Sequence, residues 1–252
     1  MPVQEALAFD MYSTLVDTFS IRKQIERVLP AQAQRGAELQ RQRRSTFASV
    51  ARNKQKAQYT AEIWRQSQLE FSFRLTLMER YEDFLTITRK ALDYTLAATR
   101  QELTDAQKDA LMAQYNALEP FADVKPGLAQ LQAAGFQMVI FSNGAPAMLN
   151  PLLDATGLRP YFQDVVSADE IKVYKPTPRI YQHAASRLGR PIGETRLISA
   201  NPFDVTGGLN AGMRAALVNR SGAPLDPLGP SPDVVVGTLT ELAERLTRLS
   251  DG

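Results

Sequence analysis

The chain has 252 residues, 44% of them hydrophobic, and its 29 basic and 27 acidic side chains leave a net charge of only +2. That length lies near the limit of a single growing core, so two domains or a domain with an insert are expected, and so small a charge argues against nucleic acid as a partner. With no cysteine there are no disulfides, thiol nucleophiles or thiolate metal sites. No apolar run approaches the ~18 residues of a membrane span, and Met1 to Glu5 lack the features of a signal peptide, so a cytoplasmic protein with no membrane partner is expected.

Ala6 to Phe9 is a short apolar run, the pattern of a strand buried on both faces, and it ends in Asp10. In an open parallel sheet ligands sit beyond the carboxyl ends of the strands, so Asp10 stands where chemistry occurs. A capping carboxylate would look the same on this stretch alone. From Asp17 to about Pro120 the periodicity is helical. Ile21, Ile25 and Val28 recur before Pro30, and apolar positions mark further helices over 63–81, 84–96 and 104–118, the last opened by a Thr104–Gln107 capping box. Between the first two lies a stretch, residues 31–58, with seven basic residues and one acid, Glu38. It suits a solvated helical extension or a positive field for anionic substrates.

After Pro120 the period changes. Short apolar runs at 138–141, 196–199, 215–218 and 234–236 alternate with helical patterns over 125–134, 147–156, 178–188 and 206–212. Such alternation predicts an α/β fold, a doubly wound parallel sheet with helices on both faces. The first strand must join that sheet, which makes the helical region an inserted helical-bundle cap. The expected division is residues 1–17 and 121–252 for the Rossmann-like core and 18–120 for the cap.

Each of three strands ends in polar residues suited to one reaction centre. Asp10 ends the first, Ser142-Asn143-Gly144 the second, and Ser199-Ala-Asn201-Pro-Phe203-Asp204 the third. Lys175-Pro176 lies between the last two, ahead of Tyr181. Any one of these is weak; four in register with strand ends are specific.

Asp10-Met-Tyr12-Ser-Thr14-Leu15, Ser142-Asn-Gly144, Lys175-Pro with Tyr181, and Ser199-Ala-Asn201-Pro-Phe-Asp204 resemble, in that order, the haloacid dehalogenase superfamily, and within it the L-2-haloacid dehalogenases. The cap stretch from Trp64 to Phe71 is similar to the same family. The resemblance implies hydrolysis of short L-2-haloalkanoic acids to D-2-hydroxyacids without metal or cofactor. It also leads us to expect a homodimer. Asp10 would attack C2 and form an ester, which splits one difficult step into two. Lys175 would keep Asp10 ionised. Ser142, Thr14 and backbone N–H groups around Ser13 would bind the substrate carboxylate, with Tyr12 and Tyr181 beside them. Arg65, Asn143 and Phe84 would face the halide, with Phe203 as a further apolar wall. Asn201 and Asp204, in the segment opened by Ser199, would hold the hydrolytic water.

Tyr12 separates this reading from a Mg²⁺-dependent phosphatase, because phosphotransferases of the superfamily keep a second Asp there; a third alternative is a non-catalytic scaffold binding polyanions. Two departures mark this chain: Ser13 stands where the family usually has Gly, and Phe203 where it usually has Trp.

Overall fold

The apolar runs pair as a parallel sheet around the first of them. A computed structural model describes residues 5–29 and 42–250. In chain order the elements are β1 (Ala6–Phe9), α1 (Arg22–Val28), α2 (Gln42–Leu77), α3 (Phe84–Ala98), α4 (Asp105–Gln114), α5 (Val124–Ala133), β2 (Gln137–Ser142) and α6 (Pro146–Thr156). They continue with β3 (Asp164–Ser167), α7 (Pro178–Arg187), β4 (Thr195–Ser199), α8 (Pro202–Asn210), β5 (Arg214–Val218), β6 (Val234–Val236) and α9 (Leu239–Ser250). The sheet order is β3-β2-β1-β4-β5-β6, with every pairing parallel.

That order reverses direction between β1 and β4, and in a doubly wound sheet the crevice at the reversal is where ligands bind. Register sets which residues meet there. Phe9 pairs with Ile140 on one side and Ile198 on the other, so Asp10 emerges level with Ser199 and one residue short of Ser142. Leu7 and Phe9 are wholly buried, each worth about 1.5–3 kcal/mol relative to exposure. The functional strand end is therefore held by the densest part of the core.

Helix starts follow local chemistry. Thr104 and Gln107 form the expected reciprocal cap on α4, and proline occupies the first helical position of α6, α7 and α8, where its missing N–H costs nothing. At α8 this corrects the predicted span of 206–212. The helix starts at Pro202, which moves Asp204 from a loop into a first helical turn. The basic stretch is likewise not a separate segment: from Gln42 it is the beginning of a 36-residue α2, and its residues 31–41 lie outside the described residues. Two elements are absent from the predicted set. β3 is an edge strand with only two apolar residues in Asp164-Val-Val-Ser167. α9 carries Leu239, Leu242, Ala243 and Leu246, buried at helical spacing, a signal open to detection.

Helices α1 to α4 lie between β1 and β2 in the chain. The two connections run side by side: Val16 bridges Pro120, and the Asp17 N–H donates to the Glu119 carbonyl at 2.8 Å. Further contacts bring the two layers together over the sheet's carboxyl end. Tyr81 donates to Asp169 (2.7 Å) and stacks on Tyr174, and Phe73 of α2 meets Phe203 of α8 edge-on at 5.2 Å. Among the described residues no helix is long and apolar enough to cross a membrane.

Candidate active site

Asp10 is buried at the end of β1, and its two carboxylate oxygens are held unequally. Oδ2 accepts hydrogen bonds from Asn201 Nδ2 (2.7 Å) and Thr14 Oγ1 (2.9 Å). Oδ1 has one longer contact, to Lys175 Nζ at 3.3 Å. Thr14 reaches back because the chain turns immediately after the strand, and its hydroxyl also accepts from the Ala200 N–H at 2.9 Å. Its one proton is spent on Asp10, which corrects its predicted contact with a substrate carboxylate, since that contact needs the same proton. Asn201 also donates to the Tyr12 carbonyl (2.9 Å), so its NH₂ group is committed to Asp10 and the β1 turn rather than to a water.

Lys175 is almost inaccessible, and its ammonium donates to three acceptors: the Asp10 carboxylate, Asp204 Oδ2 (2.8 Å) and the Phe141 carbonyl (2.8 Å). Two carboxylates thus share one cation. Asp204 is completely buried, and its other oxygen accepts from the Tyr181 hydroxyl at 2.8 Å. Burial pushes the Asp204 carboxyl above the usual range; Lys175 pulls it back, and the Asp10 charge adds to the rise. Tyr181 is pushed up by its own burial and by Asp204, so it stays a donor. These contacts correct the assignment of Tyr181 as a substrate-binding residue: its hydroxyl is spent on Asp204, behind the site. Ser199 also sits behind, where Oγ accepts the Asn201 N–H (3.1 Å) and shapes the loop.

At the end of β2, Ser142 Oγ accepts from the Gly144 N–H at 3.0 Å, and Asn143 Oδ1 accepts from the Lys175 N–H at 2.9 Å. The Asn143 NH₂ and the Ser142 O–H have no acceptor among the described residues. Ser13 departs from its predicted role. It keeps the left-handed conformation of the usual glycine (φ 67°), a strain of roughly 1–2 kcal/mol for a residue with a side chain. Its N–H donates to the Val16 carbonyl and its Oγ meets Thr18 Oγ1 at 2.9 Å, so neither group faces a substrate at Asp10.

The cap supplies the opposite wall. Arg65 on α2 is half-buried, and among the described residues no hydrogen bond or ion pair holds its guanidinium. Burial lowers its pKa, while Tyr115, Asp10 and Tyr12 act in the opposite sense, which places its charge in their field. Tyr12 is buried with its hydroxyl unpartnered; its ring lies 6.1 Å from Phe84, at the start of α3, and 6.3 Å from Tyr115. Phe84 is therefore part of the wall over Tyr12. Phe203 is half-buried against Phe73 and joins α8 to α2. His183, the single histidine, pairs with Glu170 at 2.8 Å, away from the site.

Three residues essential to this geometry carry no obvious sequence signal. Ser167 of β3 donates to the Gly144 carbonyl (2.7 Å) and fixes the loop after β2. A Cβ on Gly207 would stand 2.5 Å from the Tyr181 hydroxyl, so only glycine lets Tyr181 reach Asp204. Tyr115 looks like one more apolar position in a helix; it borders Tyr12 instead. Among the described residues no three His, Asp or Glu side chains converge as metal ligands.

A buried strand-end carboxylate paired with a lysine and a second carboxylate, under a helical cap, is the arrangement of one hydrolase class. The haloacid dehalogenase-like hydrolase family matches residues 4–212, and the chain belongs to it. Within that class the chain is 37% identical over 195 residues to (S)-2-haloacid dehalogenase 1 of Pseudomonas sp. (strain CBS-3), covering 77% of this chain and 86% of that one. It is 30% identical over 240 residues to the (S)-2-haloacid dehalogenase of Pseudomonas sp. (strain YL), covering 95% and 93%. The solved L-2-haloacid dehalogenase of Xanthobacter autotrophicus with chloropropionic acid covalently bound superposes with a TM-score of 0.80 at 33% identity, over 98% and 99% of the two chains.

Proposed function

We propose that the protein is a hydrolytic dehalogenase that converts short (S)-2-haloalkanoic acids to the inverted 2-hydroxyacids through an ester on Asp10. The unequal hold on the Asp10 oxygens carries this reading. Oδ1, with a single long contact, is the nucleophile. It attacks C2 from the face opposite the halogen, the C–O bond forms, and the carbon–halogen bond breaks with its electron pair going to the halide. Oδ2 becomes the ester carbonyl oxygen and is already held by Thr14 and Asn201. When water adds at Cγ, negative charge gathers on Oδ2, where two preorganised donors stabilise it. The Cγ–Oδ1 bond then breaks, the departing C2 oxygen takes up the proton that the attacking water gave to Asp204, and the 2-hydroxyacid leaves with the oxygen that began on Asp10.

Asp204 is the proton acceptor for that water. Its raised pKa moves it toward useful base strength, and Lys175 links it to Asp10. Ser142 and the Asn143 amide offer donors to the substrate carboxylate and halide, with Arg65 above and Tyr12 and Phe84 as the apolar wall. A halide leaving group needs no proton, which accords with a phenol at position 12. Met78 and Tyr94, which line a groove between α2 and α3 with Phe71 and Leu75, supply apolar surface for a homodimer.

Incubation with (S)-2-chloropropionate in the presence of EDTA should release chloride and yield (R)-lactate; no chloride release would overturn the reading. Thr14→Val removes one oxyanion donor, so turnover should fall about 100-fold. Because that donor serves the second step, mass spectrometry of the quenched variant should find the Asp10 ester accumulated. A variant that is slow without accumulating ester would contradict the role.

A further inference from the structure

Tyr115 has no part in the chemistry above. It sits in the short 3-10 turn Tyr115–Ala117 after α4, buried, with its ring edge-on to Trp64 at 5.2 Å and beside Tyr12. Its hydroxyl receives a hydrogen bond from Gln68 Nε2 at 2.8 Å. The direction of that bond follows from its neighbour. Thr88 Oγ1 gives its own proton to the Phe84 carbonyl (2.7 Å) and so accepts from Gln68 Nε2 at 3.2 Å. The Gln68 amide nitrogen therefore faces both hydroxyls, and Tyr115 accepts. Among the described residues nothing takes the Tyr115 proton.

Gln68 lies three residues beyond Arg65, on the same face of α2. Burial pushes the Tyr115 hydroxyl up to about 12, and the Tyr12 hydroxyl is raised further, so both remain O–H donors at any working pH. The two buried phenols thus border the half-buried Arg65 guanidinium, and among the described residues no acceptor holds any of the three. A buried hydroxyl left without an acceptor costs free energy, and a small anion beside Arg65 relieves both phenols. We infer that Tyr115, oriented by Gln68, is a further donor to the halide beside Arg65 and Asn143, and that the unpartnered Tyr12 hydroxyl at the edge of the apolar wall joins them in binding free halide. This rests on the proposed dehalogenase reading and adds to it a leaving-group residue and the Gln68 that positions it.

Trp64 is the only tryptophan and is fully buried against Tyr115, so its emission reports the site without collisional quenching from bulk solvent. Titration of the full chain with sodium bromide at constant ionic strength should give a saturable change in that emission. Tyr115→Phe keeps the ring and should raise the midpoint about tenfold, the effect of one hydrogen bond to a charged group. Gln68→Met, which frees the phenol to rotate, should raise it by a smaller factor. Both should lower kcat for chloride release from (S)-2-chloropropionate with KM little changed. A midpoint unmoved in Tyr115→Phe, or no saturable response in the unaltered chain, would overturn the inference. Bromide binding as described without turnover of (S)-2-chloropropionate would instead sink the reaction while supporting the anion site.

Discussion

Asp10→Asn should release halide from (S)-2-chloropropionate at least about four orders of magnitude more slowly than the unaltered enzyme, with no ester detectable by mass spectrometry. The amide is isosteric with the carboxylate, but it carries no charge to form a bond to carbon. It also places donors where Oδ1 faced Lys175 or where Oδ2 accepted from Thr14 and Asn201. The loss should come without unfolding. The site holds two carboxylates against one ammonium, and removing one charge leaves Lys175 and Asp204 as a balanced pair. Stability at neutral pH should not fall, because without the Asp10 charge the buried Asp204 carboxyl ionises more easily beside Lys175. Activity surviving in Asp10→Asn would transfer the nucleophile elsewhere.

Lys175→Met should lose turnover as completely, but through a different physical effect and with a stability signature. Among the described residues its ammonium is the only cation bonded to either buried carboxylate. Removing one partner of a buried ion pair costs about 3–5 kcal/mol, because the remaining charge is left out of water. The sign of the pH dependence follows from Asp204, whose carboxyl burial already holds above its ordinary value. An acid raised by folding favours the folded state below its unfolded pKa, and that advantage is lost as pH rises through the folded value. Without Lys175 the folded value moves higher still. The gap in melting temperature between variant and unaltered protein should therefore be smallest near pH 4 and widen toward pH 7.5. A gap independent of pH would show that Lys175 contributes packing rather than charge.

What the sequence determined by itself is local or periodic. A four-residue apolar run can hide both faces only inside a parallel sheet, so Ala6–Phe9 announced β1 and the position of Asp10 without any partner being known. Thr104 with Gln107 encoded a helix start within four residues. The motifs at Ser142, Lys175 and Asn201 stood out because each follows such an element.

Only the tertiary structure decided which polar group faces which. Asp10 and Lys175 are 165 residues apart in the chain, and Asp10 and Asn201 are 191 apart; neither propensity nor spacing carries information over such separations. Thr14, Ser13 and Tyr181 were legible as polar residues near the site, yet their hydroxyls and N–H groups are consumed by Asp10, Val16, Thr18 and Asp204. Those pairings depend on packing, since a buried donor takes the nearest buried acceptor. Gly207 shows the same limit from the other side: it is required because Tyr181, 26 residues earlier, passes where its side chain would stand. The sequence thus pointed to Asp10 and to the fold that presents it, and packing alone decided how unequally its two oxygens are held.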